Sequence, residues 1–405
     1  MNLKSALDWL YSTQLFGIKL GLEGTRRLLE AADAYPSEDV CVVHVAGTNG
    51  KGSVCAMLEA LGRSSGLKTG MFTSPHLVDF RERIRVNGVM IPEDALLRLL
   101  VEVRDLVAEW DPHPTFFELA LAVALKYFKE CGVKFLVLET GLGGRLDATN
   151  AVPKDLAVLA PIGMDHQQYL GDTLELIAAE KAGIIAAGRP VVSAVQEPEA
   201  AGVIARRAAE LGSPLAIAGH TDGVPQPSLP GAHQRRNAAL ALLAMKTLHL
   251  LPSRSVAEAA LSSLSWPGRF QELEGGLMVL DGAHNPHAAR VLAETWRERF
   301  SDDKAALVFA ASADKNIHGV LELIAPLAGE WHLVPCTSPR ILGVGDMKCQ
   351  VEAFSSVPVV CHDSLETGLK AARNSGCRVL VTGSLFLLGD VLGLFAGEGR
   401  RATVQ

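Results

Sequence analysis

Short apolar runs, each followed by a polar turn and a stretch of helical spacing, set the rhythm of this chain. Val40 to Val45 is rich in valine and reads as a buried strand, and Val54 to Leu61 repeats its apolar positions at helical intervals. Ahead of that pair, Ala6-Leu7-Leu10 and Arg26-Leu28-Leu29 predict two helices, joined by a connecting loop over Phe16 to Leu22. Beyond it, Lys68 to Ser74 is a short second strand. Arg81, Arg83 and Arg85 then alternate with Glu82, Ile84 and Val86, which predicts an extended edge segment turning at Asn87-Gly88. Thr115 to Tyr127 is a helix whose opening threonine is followed three residues later by Glu118, the pattern of a capping box.

Phe135 to Leu138 is a further strand ending at Glu139, and Leu156 to Ala160 repeats the arrangement with Asp165 and His166 just beyond. Strands alternating with helices, each delivering polar groups at its carboxyl end, predict a parallel sheet with its site along that edge. Three prolines between Pro225 and Pro230 mark a loop, after which Asn237 to Leu251 resumes as a helix. Past Ser265-Trp266-Pro267-Gly268-Arg269 a second set of strands follows: Leu277 to Leu280, Ala306 to Phe309, His332 to Val334, Val357 to Val360 and Arg378 to Val381. The expectation is an α/β chain of two domains. A phosphate-loop domain with a mostly parallel sheet spans 1–265, and a smaller Rossmann-like α/β domain spans 266–405.

Composition alters this picture at three points. The 405 residues suffice for two packed cores, with 48% hydrophobic content. A net charge of -7 with no basic block argues against general nucleic-acid binding. Seven scattered cysteines without a Cys-x-x-Cys pair look like small buried residues of a reducing compartment. The start lacks the apolar core of a signal peptide. Val379 to Gly397, the longest weakly polar stretch, is interrupted by Thr382, Ser384 and Asp390, and reads as a strand and a helix rather than a membrane span. A cytoplasmic protein without membrane partners is expected.

The chemistry centres on Gly47-Thr48-Asn49-Gly50-Lys51-Gly52-Ser53, set between the valine strand and its helix. Glycines allow successive backbone N–H groups to face one point, and the helix N-terminus adds partial positive charge there. The ammonium of Lys51 then completes a cradle for phosphate, with the Ser53 hydroxyl placed for a phosphate-bound Mg²⁺. Gly52 separates the lysine from the hydroxyl, a spacing associated with ATP-dependent ligases that join an amino acid to a carboxylate. Glu139, ending its strand before a loop with three glycines, offers the hard oxygens that Mg²⁺ takes alongside nucleotide oxygens. His166, at another strand end of the same sheet, is a candidate for a metal or site role. By its pattern alone Lys181 is an ordinary surface lysine near the end of a helix that begins at Thr173. Asp281-Gly282-Ala283-His284 closes the first strand of the second domain with an acid and an imidazole three residues apart.

These segments stand in a familiar order. The phosphate loop, Thr-Ser-Pro-His-Leu at 73–77, Thr-Phe-Phe-Glu at 115–118 and Glu-Thr-Gly-Leu-Gly-Gly-Arg-Leu-Asp-Ala-Thr-Asn at 139–150 come first. Met-Asp-His at 164–166, Glu-Lys-Ala-Gly-Ile at 180–184, Pro-Gly-Arg at 267–269 and Asp-Gly-Ala-His-Asn-Pro-His at 281–287 follow. Over nearly its whole length the chain resembles the bacterial folylpolyglutamate synthases and dihydrofolate synthases of the Mur ligase superfamily. Gln167 departs from the threonine that the family pattern leads one to expect after the histidine.

The resemblance implies an ATP-dependent ligase adding L-glutamate to dihydropteroate, to the glutamate tail of reduced folates, or to both, through an acyl phosphate. It implies that Thr48, Asn49, Gly50, Lys51, Gly52 and Ser53 hold ATP, with Asn237, Arg269 and Asp281 gripping the nucleotide from its far side. Ser53, Ser74, Glu139 and His166 would carry one or two Mg²⁺ ions. Lys181 would be a carbamate formed with CO₂, since an amine held out of water releases its proton more readily and its carbamate is a two-oxygen anionic ligand. Thr115, Phe116, Phe117 and Glu118, with Leu146, Asp147 and Ala148, would line the pterin pocket. His284 would position glutamate or the intermediate. A small-molecule enzyme acting as a monomer is implied. A UDP-muramoyl amino-acid ligase is the nearest rival, but the forty-odd residues ahead of the loop leave no room for its UDP-binding domain. A nucleotide-binding module without ligase activity is the other; it would be expected to have lost Lys51, Glu139 or His166, and all three are present.

Overall fold

The computed structural model describes residues 1–16 and 21–397, so that Gly17–Leu20 of the expected connecting loop and the last eight positions of the expected second domain lie outside the described residues. The chain divides into two compact units. One comprises Met1–His76, Phe80–Pro227 and Arg235–Leu264, and the other Leu77–Asp79, Ser228–Gln234 and the chain from Ser265 onward.

The first unit is built on β1 (Cys41–Ala46), β2 (Thr69–Phe72), β3 (Ile84–Val86), β4 (Val89–Met90), β5 (Phe135–Glu139), β6 (Leu156–Leu159), β7 (Val191–Ala194) and β8 (Leu215–Ala218). They form one eight-stranded sheet in the order β4-β3-β2-β5-β1-β6-β7-β8. Pairing is parallel except where β3 runs against β2 and β4. Parallel strands are covered by helices on both faces, so β1, β5 and β6 are nearly continuous apolar runs instead of alternating ones, broken by His44 in β1 and ended by Glu139 in β5. Its helices are α1 (Leu3–Ser12), α2 (Glu23–Ala31), α3 (Lys51–Ser64), α4 (Glu93–Leu106) and α5 (Phe116–Glu130). They continue as α6 (Gln167–Leu170), α7 (Leu174–Ala182), α8 (Pro198–Glu210), α9 (Ala232–Thr247, from Arg235 in this unit) and α10 (Arg254–Ser262). The α5 start carries the predicted capping box, with both reciprocal bonds between Thr115 and Glu118. Leu28, Leu29, Leu99, Leu100, Leu119 and Val123 pack in one core cluster of this unit, each burial contributing roughly 1.5–3 kcal/mol.

In the second unit β9 (Gln271–Leu273), β10 (Met278–Leu280), β11 (Ala305–Phe309), β12 (Ala328–Leu333), β13 (Val359–Cys361) and β14 (Arg378–Thr382) form a six-stranded sheet ordered β13-β12-β11-β14-β10-β9. Only β9 is antiparallel there. Helices α11 (Pro286–Phe300), α12 (Ile317–Ile324), α13 (Val344–Glu352), α14 (Leu365–Asn374) and α15 (Leu385–Ala396) accompany these strands. Trp296 and Trp331 are fully buried in its core. The weakly polar C-terminal stretch is β14 and α15, and among the described residues no helix is long and apolar enough to cross a membrane.

Some elements differ from expectation. Phe80–Arg83 is a turn of 3₁₀ helix rather than extended chain, and Arg83 is fully buried. Alternation of charge with apolar residues imitated a strand because only three of those residues, Ile84–Val86, pair. Helix α9 begins at Ala232, five residues earlier than Asn237, and ends at Thr247. Strands β7, β8 and β9 were not foreseen: each is three or four residues long, and β9 is polar enough that only its pairing with β10 defines it.

Candidate active site

Strand register assembles the first group of polar residues. Val45 lies beside Glu139 in the β1–β5 pair, and Phe72 beside Leu138 in the β2–β5 pair. The phosphate loop, Glu139 and the residues after Phe72 therefore leave the sheet at one end. Ser74 N–H donates to Glu139 Oε2 at 3.1 Å, bringing two of the candidate metal ligands together. Glu139 is 4% exposed.

The phosphate loop is held from behind. The N–H groups of Thr48 and Asn49 both donate to the Pro161 carbonyl, at 2.9 and 3.2 Å. The Thr48 hydroxyl donates to Gly163 O and accepts from Gly163 N–H. A phosphate role for this loop would accordingly fall to the amides from Gly50 onward, where α3 starts. Gly50 stands at its N-cap with φ 83°, and no side chain caps it. A left-handed residue there turns the following N–H groups outward, and a Cβ in its place would meet Asn237 Oδ1 at 2.9 Å. Asn237 thus lies against the loop itself. Ser53, in the first turn of α3, is buried.

Lys181 is 4% exposed, which corrects the ordinary surface lysine its pattern suggests. It sits in the last turn of α7, whose N-cap is Thr173, and α7 packs against the glycine loop that follows Glu139. Arg145 N–H donates to Glu180 O, and a Cβ at Gly144 would lie 3.0 Å from Lys181 O. Lys181 Nζ donates to Gly47 O at 3.0 Å, and Lys51 Nζ donates to the same oxygen at 3.1 Å. Two ammonium groups therefore share one carbonyl at the mouth of the phosphate loop. His166 adopts φ 51°, with its N–H on Asp165 Oδ1 and its ring 3.9 Å from Asp165 Oδ2.

The donor set of this edge suits a hard cation. One buried carboxylate, the nearby Ser74 and the Ser53 hydroxyl match an ion that keeps waters and nucleotide oxygens in its shell. Among the described residues no three His, Cys, Asp or Glu side chains gather as an all-protein cage.

The Thr115–Glu118 segment is more deeply packed than flat pocket walls would be. Phe116 stacks on Tyr11 with centroids 5.6 Å apart and meets Phe80 edge-on at 6.1 Å. Phe117 leans on Phe72, and a Cβ at Gly141 would be 2.8 Å from its ring. Glu118 Oε2 accepts from Thr115 N–H and hydroxyl, and Oε1 from the Thr25 hydroxyl at 2.8 Å. Asp147 is likewise surrounded: Oδ2 accepts from Gly141 and Leu142 N–H, and Oδ1 from Thr149 N–H and hydroxyl. Burial pushes its carboxyl up, against the pull of those bonds. Leu146 is half-buried and Ala148 buried on either side.

Sequence patterns gave no sign of Arg83. Its Nε donates to His76 Nδ1 at 2.8 Å, its guanidinium lies 5.2 Å from the Phe116 ring, and its two terminal nitrogens are buried with no hydrogen-bond partner. Burial lowers it to about 10, against the favourable fields of Tyr11, Glu82 and Glu139.

In the second unit, the turn from β10 to α11 carries Asp281 and His284. Asp281 Oδ2 accepts from Phe270 N–H and Oδ1 from Ala283 N–H, both at 2.9 Å. Burial raises its carboxyl, while Arg269, these two amides and His284 pull it down. Arg269 Nη1 donates to Gly268 O at 3.1 Å. His284 Nδ1 lies 2.7 Å from Gly282 O, and since a carbonyl only accepts, Nδ1 carries the proton.

Comparison with known proteins gives this geometry its context. A family profile described as the glutamate ligase domain of the Mur ligases matches residues 268–385. A dihydrofolate synthase/folylpolyglutamate synthase of Bacillus subtilis is 34% identical, covering 96% of this chain and 98% of its own. The structure of E. coli FolC in complex with DHPP and ADP superposes with a TM-score of 0.88 at 31% identity, covering 98% of both chains. A bifunctional enzyme of the same kind from Yersinia pestis, complexed with AMPPNP and a Mn ion, gives 0.86 at 32% identity, again with 98% of both chains covered. With identity above three parts in ten along almost the entire length, this chain belongs to the dihydrofolate synthase/folylpolyglutamate synthase family.

Proposed function

We propose that this protein is an ATP-dependent amide ligase that adds L-glutamate to dihydropteroate, to the glutamate tail of reduced folates, or to both. One observation supports it above the rest: in a chain of this family, an uncapped, glycine-led helix start with Lys51 stands at the same sheet end as the Ser74–Glu139 pair.

A carboxylate is a poor electrophile at neutral pH. Its oxygen therefore attacks the γ-phosphate of ATP, releasing ADP and forming an acyl phosphate. The amine of glutamate then adds to that carbonyl, and phosphate leaves as the amide forms. Phosphoryl transfer needs alignment and charge neutralisation more than covalent help. Lys51 and the amides from Gly50 onward hold the phosphates, and Thr48 and Asn49 shape the loop. Asn237 braces Gly50, while Arg269 and Asp281 meet the nucleotide. Ser53, Ser74, Glu139 and His166 would hold divalent ions, which would supply charge neutralisation at the phosphates. Residues 1–265 serve as the ATP and folate domain and 266–405 as the glutamate ligase domain. Asp147, Leu146, Ala148 and Thr115–Glu118 form the acceptor site, with the buried rings of Phe116 and Phe117 as its floor. His284, its ring oriented by Gly282 O, positions glutamate.

Lys181 fits a carbamate. With Lys51 and Lys181 both on Gly47 O, converting one ammonium to an anion replaces a like-charge pair by an ion pair. The carbamate nitrogen keeps one N–H, so the bond to Gly47 O survives. Carbon-13 bicarbonate should give a carbamate signal in the native protein that Lys181→Arg lacks, and Lys181→Ala should lose turnover and recover part of it with acetate. The protein acts as a cytoplasmic monomer on small molecules, a placement favoured by seven free cysteines.

The deciding assay offers purified protein ATP, Mg²⁺ and radiolabelled glutamate, with dihydropteroate and tetrahydrofolate supplied separately. Incorporation with at least one acceptor is expected. Label remaining free with both would overturn the assignment.

A further inference from the structure

A chain of polar side chains beneath the 141–144 turn leads to Asp147 from His44, Lys154 and Thr149, to which the ligation chemistry above gives no role. His44 is at the centre of β1, fully buried. Its Nδ1 lies 3.4 Å from Lys154 Nζ and its Nε2 lies 2.7 Å from Thr149 Oγ1. Thr149 Oγ1 in turn makes a close bond to Asp147 Oδ1. Lys154 is anchored by a second close bond, to Asn150 Oδ1.

Donor chemistry fixes the direction of this chain. An ammonium only donates, so His44 Nδ1 accepts from Lys154. A neutral imidazole with Nδ1 accepting carries its proton on Nε2, which donates to Thr149. The one hydroxyl proton of Thr149 is then directed at Asp147, whose ionised oxygens only accept. Deprotonated Lys154 removes the constraint, because a neutral amine accepts as well as donates. His44 can then donate from Nδ1 and accept from Thr149 at Nε2, and Asp147 loses the hydroxyl.

We propose that Lys154 and His44 are positioning residues for the acceptor site, their one-way chain of hydrogen bonds holding Asp147 ionised against the 141–144 turn for as long as Lys154 is an ammonium. The inference rests on Asp147 serving the acceptor site, as proposed above. Burial keeps His44 neutral by pushing it well below its usual value, with Lys154 adding to the effect. Burial also brings Lys154 down to about 8, opposed by Asp147 and reinforced by Arg26 of α2. Adjacent Asp155 is engaged elsewhere, by Val42 N–H and Arg189. The change of direction thus falls within an assayable range.

The test uses the full chain as wild type, Lys154→Met and Lys154→Arg. KM for dihydropteroate in the wild type should rise about fivefold as pH passes about 8, the cost of one lost hydrogen bond, with KM for ATP and kcat moving less. Lys154→Met should show the higher KM at every pH. Lys154→Arg, which stays charged, should keep the lower one into alkaline solution. Nitrogen-15 NMR of His44 should find the proton on Nε2 at neutral pH in the wild type. This readout needs no turnover. A correct tautomer in a protein that never joins glutamate would overturn the ligase assignment. A working ligase with the proton on Nδ1, or with Lys154→Met indistinguishable from wild type in acceptor KM, would overturn this inference.

Discussion

Two turns of the same type, one in each unit, end in different ways. Both lead from a buried parallel-sheet strand into a long helix: β1 into α3, and β10 into α11. At the first, Gly50 occupies the N-cap at φ 83° and, having no side chain, supplies no cap to the amides that follow. At the second, Asn285 caps α11 by accepting from Ala288 N–H, and Pro286 at the first helical position has no N–H to satisfy. A helix start has about four orphan amides, so a capped start is already partly satisfied by the protein and an uncapped one awaits an acceptor. The phosphate role proposed above falls to the first turn for that reason. The second turn instead holds side chains in place, Asp281 through Phe270 and Ala283, and His284 through Gly282.

The sharpest way to break the contrast is Gly50→Ala. Alanine at a left-handed position costs roughly 1–2 kcal/mol. Its Cβ would also approach Asn237 Oδ1 to 2.9 Å, so the loop must shift. Misplacing the phosphate by about an ångström should lower turnover by roughly a hundredfold. Steady-state kinetics with ATP varied would show it, and near-normal turnover would mean that the amides beyond Gly50 are not the receptor.

Asn285→Ala probes the other turn and should have a smaller effect of a different kind. Removing the cap costs about 1 kcal/mol, which lowers the melting temperature by about 3 °C. KM for ATP should stay near its wild-type value, and Asn285→Asp should restore the lost stability because it accepts the same bond. A selective loss of ATP affinity without any change in melting would show the second turn to be an anion site after all.

The contrast was legible in part. Gly-Thr-Asn-Gly-Lys-Gly-Ser after a valine-rich run is a local pattern whose physics is carried within a few residues. Thr115 and Glu118 are legible for the same reason, since a capping box is closed by neighbours. The paired Ser74 and Glu139 could be placed at one sheet edge but not in contact, because that depends on the β2–β5 register between distant segments. Arg83 was hidden: charge beside apolar residues looks the same on an exposed edge and in a 3₁₀ turn whose cation is stacked under Phe116. Lys181 was hidden too, because a lysine in a helical last turn is usually solvated, and here the glycine loop packs over α7 while the ammonium bonds Gly47 O, contacts between distant segments. The His44–Thr149–Asp147 chain joins residues about a hundred positions apart in sequence, beyond the reach of any local pattern.

The strands that feed the two turns provide the smallest predicted difference. Strand β10 is Met278, Val279 and Leu280, wholly apolar, whereas β1 has His44 at its centre. Burial holds folded His44 well below the ordinary histidine value of about 6.5, so as pH falls toward that value the unfolded chain takes up a proton that the folded chain refuses. Stability rises with pH wherever the unfolded state binds more protons, so this contribution is complete above the unfolded value and is lost below it. Between pH 7 and pH 6 the loss comes to about 0.7 kcal/mol for one such histidine. Buried Asp147 and Asp281, whose raised carboxyls act in the opposite sense, are present in both proteins of the comparison. His44→Gln keeps a donor for Thr149 but cannot titrate, so its melting temperature should fall less over that unit of pH than the wild type's. Equal slopes in the two proteins would mean that the folded state accepts the proton as readily as the unfolded one, and that the imidazole in β1 is not held neutral by its surroundings.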